Sequence, residues 1–312
     1  MGMKADAQRL TESGDVGHPG RKCECRLCIL KVIHCEARDE PWLRKKQSPR
    51  QLPLDLRILN AKYAMLKDGF YIPTTFDPEP FLNEGELATP QQLFPESLGR
   101  WTKFPGFTAH RFVLHRKRPV GPRLPIKMQL IYTDGACMND GSSNAIGGVG
   151  VAFCSKGRVN TKGCIGSALE ACGPDGQRIQ PTSNRAELRA VVKALEWRYW
   201  YREGWEALVI ATGSVYVAQN ATIRLSSWLE RKWYKSNGEK ATNRDLWKRL
   251  LYLFRLYAIH GCEVMIWHIS RDQNTIANTL AKDGITRGSA KYPTRWSSRR
   301  DPLLKQDLHF NF

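Results

Sequence analysis

Apolar and polar positions fall into repeating patterns only from Met128 onward. Met128–Thr133 (MQLIYT) is a mostly apolar run closed by Asp134-Gly135, which predicts a strand. Gly147–Cys154 and Arg158–Ile165 predict a second and a third, and the glycines and short polar pieces between them suggest an antiparallel meander. Thr182-Ser183-Asn184 then offers a helix N-cap, and Leu188, Val191, Val192, Leu195 and Tyr199 follow at helical spacing. Ala207–Thr212 (ALVIAT), bounded by Gly204 and Gly213, reads as a strand buried on both faces. A helical stretch runs to about Glu230. Asn243 is placed to cap a helix that carries Trp247, Leu250, Leu251 and Phe254 on one side. Cys262–Trp267 predicts a fifth strand, and Asp272–Ile285 a last helix with Ile276, Leu280 and Ala281 inward. The order βββαβααβα predicts an α/β domain over residues 128–288, a mixed five-stranded sheet flanked by helices.

The flanks differ. Residues 1–127 are punctuated by Pro and Gly, and no period survives for long. They are expected to be mostly disordered over 1–50 and an irregular, partly ordered arm over 51–127, ending in the acid-free, Pro-rich linker 116–127. The tail, 289–312, is basic and aromatic without periodicity. A hydrophobic content of 42% is ample for a core, and the net charge of +18 favours a polyanionic partner, nucleic acid above all. No apolar run is long enough to span a membrane, and the acids near the start argue against a signal or transit peptide. The nine cysteines read as reduced thiols, in keeping with an intracellular protein of the nucleus or cytoplasm; a monomer is expected. Cys23, Cys25, Cys28, His34 and Cys35 lack the paired spacing of a zinc site, so Zn²⁺ is not expected there.

Two acids stand out. Asp134 ends the first predicted strand and Glu187 lies in the first turn of the first long helix. Singly, one is a turn residue and the other a first-turn acid favoured by the helix dipole. Together, a strand end and a nearby helix start bring two carboxylates to one edge of a sheet, which suits a hard divalent cation such as Mg²⁺.

Ile131-Tyr132-Thr133-Asp134-Gly135-Ala136-Cys137 resembles the first motif of the type 1 ribonuclease H family, and Thr182-Ser183-Asn184-Arg185-Ala186-Glu187-Leu188 its second. Asn243-Arg244-Asp245-Leu246-Trp247 and the segment Asn274, Ala277, Leu280-Ala281-Lys282 are similar to later family segments. The resemblance implies cleavage of the RNA strand of RNA–DNA hybrids by two Mg²⁺ ions held by four acids. It also implies that two of those acids are missing here. Gly213 stands where the family has Asp after the central strand, and Asn278 where it has Asp in the last helix. Asp134 and Glu187 remain as the catalytic and metal-binding pair. Asp140, Asp272 and Asp283 are the nearby acids that could substitute, and His268 is read as a packed strand-end residue rather than a proton shuttle.

The resemblance further implies nucleic-acid contacts. Thr182 and Asn243 match a phosphate pocket, Ser183 and Asn184 a pair that touches the minor groove and 2′-hydroxyls, and Arg231, Lys232, Trp233 and Lys235 a basic protrusion. Trp228 and Trp233 read equally well as core residues. Three functions are therefore open: a hybrid- or RNA-duplex-binding module that cleaves weakly or not at all, an active endonuclease with a reorganised and weakened Mg²⁺ site, and a scaffold for proteins not identifiable from sequence.

Overall fold

The computed structural model describes residues 71–82, 89–100, 108–114, 127–155, 163–173 and 178–287. All described residues belong to the unit Ile58–Phe312. The expectations for residues 1–70, the linker and the tail lie outside the described residues.

Eight strands are present among the described residues: β1 (Thr74–Thr75), β2 (Glu96–Gly99), β3 (Ala109–Val113), β4 (Met128–Met138), β5 (Ile146–Ala152), β6 (Cys164–Ala168), β7 (Ala207–Thr212) and β8 (Glu263–His268). The helices are α1 (Pro90–Leu93), α2 (Ser183–Trp197), α3 (Val215–Gln219), α4 (Leu225–Glu230), α5 (Arg244–Ile259) and α6 (Thr275–Arg287); a π-helical segment, Asn220–Arg224, joins α3 to α4. β4, β5 and β6 form the expected antiparallel meander, and β7 and β8 run parallel to β4. The third strand starts later than its predicted span, at Cys164.

The sheet is wider than the five strands expected. β3 pairs antiparallel with the start of β4, β2 pairs with β3, and β1 pairs with β8. The reason is the second face of the sheet. β7 is buried at every position, so both faces need cover. α2, α3, α4 and α5 cover one face. On the other, Met128, Leu130, Tyr132, Val209, Met265 and Trp267 are buried under Phe76, Phe81, Leu93, Phe94 and Phe112 from the segment preceding β4. Phe76 packs 4.9 Å from Trp267 and 5.6 Å from Phe94, ring centre to ring centre. Arg111 of β3 is buried beside Glu203, at 3.5 Å, and lies over the rings of Phe153 and Trp200. Described parts of the expected irregular arm are therefore integral to the sheet.

α6 completes the second face by riding directly on glycines. A methyl group at Gly150 would stand 2.0 Å from the carbonyl oxygen of Ala277, and one at Gly148 2.0 Å from that of Ala281. Such contact sets the height of the helix above β5 by backbone alone.

Candidate active site

Asp134 and Gly150 face each other across the β4–β5 ladder, and Gly150 touches the backbone of Ala277. Thr133 is paired with Thr212 across β4–β7, so the next residues, Asp134 and Gly213, lie abreast on adjacent strands. The register thus brings Asp134, Gly213 and the Ala277-Asn278 turn of α6 to one level of the sheet. Glu187 arrives from α2, which approaches β4 so closely that a methyl group on Gly135 would stand 2.1 Å from the Glu187 nitrogen.

Both acids are nearly buried, each 9% exposed. Glu187 Oε2 accepts the Gly135 N–H at 3.0 Å, and the Asp134 and Glu187 side chains hydrogen-bond to each other. Two carboxyls in such contact retain a proton. Burial first, and then the charge of Asp134, pushes the Glu187 carboxyl up to about 9; burial also raises that of Asp134. The charge of Arg271 acts on both carboxyls in the opposite sense, and that of Lys282 on Asp134.

No third acid completes the pair. Among the described residues, no three His, Cys, Asp or Glu side chains form a group that could hold a metal ion. Asp140 serves elsewhere: its carboxylate accepts the Ser183 N–H at 3.1 Å at the start of α2, and hydrogen bonding from the Ser183 side chain, then from its backbone, holds it below the usual carboxylate range. Asp272 lies exposed in a 3₁₀ turn, Arg271–Gln273, and Asp283 is half-buried farther along α6. His268 is exposed, not packed, because the last position of β8 falls beyond the covered part of its face.

The other predicted residues are distributed as follows. The Thr182 hydroxyl caps α2, accepting from Arg185 N at 3.2 Å. Asn243 precedes α5 in the left-handed region, φ 55°, and its side chain does not cap the helix. Its amide is otherwise engaged: Oδ1 accepts from Arg185 Nη1 at 3.4 Å, and Nδ2 donates to the Tyr216 hydroxyl at 3.3 Å. Asp245 holds Arg185 through two contacts of 3.0 and 2.6 Å. Arg231 and Lys232 are exposed and Asn184 points to solvent, whereas Lys235 pairs with Glu239 at 3.1 Å. Trp228 belongs to the core, edge-on to Trp247, and Trp233 is half-buried against it.

Two residues that sequence reasoning missed border the acids. Asn274 is buried, and its amide donates to the Thr133 carbonyl at 3.0 Å, one residue before Asp134. Arg271 lies over Gly213: a methyl group there would stand 3.3 Å from Arg271 Cγ.

The ribonuclease H family model matches residues 127–286, slightly more than half of the chain and the whole of this site. The chain belongs to the ribonuclease H family. It is 32% identical over 164 residues to a ribonuclease H of Nitrosococcus oceani, covering 52% of this chain and 96% of that one. It is 31% identical over 157 residues to a ribonuclease HI of Xylella fastidiosa, covering 50% and 91% respectively. A solved structure of LC11-RNase H1 in complex with an RNA/DNA hybrid aligns at 19% identity over 51% of this chain and 96% of that one, with a TM-score of 0.35. The ribonuclease H reaction generally uses Mg²⁺. In this chain two carboxyls, Asp134 and Glu187, stand at the site with Gly213 abreast of Asp134, and the charges of Arg271 and Lys282 act on them.

Proposed function

We propose that this chain binds RNA–DNA hybrid or another RNA-containing duplex and hydrolyses the RNA strand slowly or not at all. The observation that carries the reading is the pairing of Asp134 with Glu187 without a third acidic ligand among the described residues. In two-ion hydrolysis the metals generate the nucleophile and stabilise the leaving oxygen, so half a cage costs orders of magnitude in rate. Gly213 supplies no side-chain ligand, and Asn278 supplies at most a neutral amide oxygen.

Support for binding comes from charge and from the exposed cations. The chain carries +18, and Arg231, Lys232, Lys240 and Arg244 are exposed around the turn between α4 and α5 and at the start of α5. Such contacts grip phosphates without reading bases. Thr182, Ser183 and Asn184 are proposed to face the duplex from the start of α2. Asn243 is proposed to help hold a backbone phosphate through the second N–H of its Nδ2, the first being given to Tyr216, and Trp233 to flank the basic turn.

The test is hybrid cleavage in Mg²⁺ and in Mn²⁺, run beside hybrid binding on the same preparation. Cleavage is expected to be at least about 100-fold slower than that of a four-carboxylate relative, with binding retained. Turnover within about tenfold of such a relative, abolished by Asp134→Asn, overturns the reading.

A further inference from the structure

The turn that carries Arg271 is anchored at both neighbouring strand ends. The Ile269 N–H donates to the Thr212 carbonyl at 3.0 Å, one residue before Gly213. The Asn274 amide donates to the Thr133 carbonyl at 3.0 Å, one residue before Asp134. Between these two tethers, the Arg271 stem crosses the ground that any side chain at position 213 would occupy, with Cγ 3.3 Å and Cα 3.9 Å from the place of its first carbon. Arg271 is exposed and forms no salt bridge among the described residues, so its guanidinium keeps its N–H donors.

Charge counting gives this placement a meaning. Asp134 and Glu187 are the two acids of this site, and Gly213, abreast of Asp134, adds none. Arg271 and Lys282 bring two positive charges to the same locality. Two acids matched by two cations leave no excess of negative charge to hold a free divalent cation, and the exposed guanidinium attracts a phosphate. A guanidinium is also the side chain best matched to a phosphodiester, through paired N–H donors.

We infer that Arg271 is the resident counter-ion of the Asp134–Glu187 pair and the contact for a nucleic-acid phosphodiester at this site, which therefore holds its duplex without a divalent metal. The inference rests on the binding reading above and extends it. A position that would hold a metal ligand is instead open to an arginine, and the cation that meets the nucleic acid is part of the chain.

The experiment has two arms, both on the full chain. In the first, hybrid affinity is measured by fluorescence anisotropy in EDTA and in Mg²⁺ over a salt series, for wild type, Arg271→Gln and Arg271→Lys. Wild type is expected to bind equally in EDTA and Mg²⁺. Arg271→Gln is expected to bind about tenfold more weakly, with the slope of log K against log salt reduced by about 0.9, while Arg271→Lys keeps the slope. Loss of wild-type affinity in EDTA, or an unchanged Arg271→Gln, overturns the inference and leaves the binding reading standing. In the second arm, Mn²⁺ alone is titrated into the free protein and followed by electron paramagnetic resonance. Wild type should show no saturable site below about 1 mM, and Arg271→Gln should gain one. Tight Mn²⁺ binding by wild type overturns the counter-ion role. If no preparation binds hybrid, the functional reading falls together with the phosphate contact, and the Mn²⁺ arm still decides the counter-ion.

Discussion

Glu187→Gln tests the shared proton directly. Gln keeps the shape of the protonated acid: its carbonyl oxygen still accepts the Gly135 N–H, now 3.0 Å from Glu187 Oε2, and its amide donates toward Asp134. It differs from Glu only in being unable to ionise. In the folded chain Glu187 holds its proton up to about 9, against an ordinary value of 4.5. The unfolded chain releases that proton above about 4.5 while the folded chain keeps it, so unfolding sheds a proton throughout the window between the two values. Stability from this group is therefore fully present below the lower value and declines as pH rises toward the upper one, by about 1.4 kcal/mol per pH unit for one proton. From pH 6 to pH 8 the wild type should lose about 2–3 kcal/mol relative to Glu187→Gln, a large share of a typical stability of about 5–15 kcal/mol. The assay is urea denaturation at pH 6, 7 and 8 in EDTA, with midpoints and slopes fitted for both proteins. A stability difference that stays constant over this range, or a variant that is the less stable protein at pH 8, refutes the shared-proton geometry.

Restoring both absent ligands, Gly213→Asp with Asn278→Asp, should produce Mg²⁺-dependent hybrid cleavage that neither change alone gives; adding Arg271→Ala should raise the gain, and Glu187→Gln should abolish it. Arg231→Ala with Lys232→Ala should flatten the salt dependence of hybrid binding by about 0.9 for each phosphate no longer gripped, and a wild-type slope near zero would exclude the nucleic-acid reading. Gly150→Ala places a methyl group 2.0 Å from the Ala277 carbonyl, so denaturant unfolding should show a loss of about 1–3 kcal/mol or more, and an unchanged midpoint would mean that α6 lifts from β5 freely.

The parts legible in the sequence are those with a long period or a strong motif. α2, β7 and α5 each carry a sustained apolar pattern and lie close to their predicted spans, whereas β4 starts where predicted but runs past its expected end at Thr133 to Met138. β1, β2 and β3 are two to five residues long, and what orders them is the second face of β4, β7 and β8 rather than their own pattern. Asp134 and Glu187 are legible from their motifs, although β4 continues past Asp134 to Met138 and Glu187 lies beyond the first turn of α2. Arg271 is not, because its nearness to Gly213 depends on a turn tethered to two strands distant in sequence. Asn243 looks like a side-chain cap in the sequence, since an isolated Asn before a helix usually is one. In the folded chain Arg185 and Tyr216 claim both atoms of its amide, and the cap is left to the backbone.

The buried contact between Arg111 and Glu203 bears on how this protein can be dissected or recombined. Glu203 lies within the family match and Arg111 outside it. A fragment cut at the start of the match would strand Glu203, nearly sealed from water, with Arg198 as its remaining ionic partner among the described residues. Losing Arg111 removes one of the two cations that hold this buried acid, which destabilises it. The same cut would uncover the apolar face that Phe76, Phe94 and Phe112 now shield. The inheritable unit of this protein is thus longer than the stretch its relatives share, and shuffling that stretch alone into another gene would part it from the residues that cover its sheet.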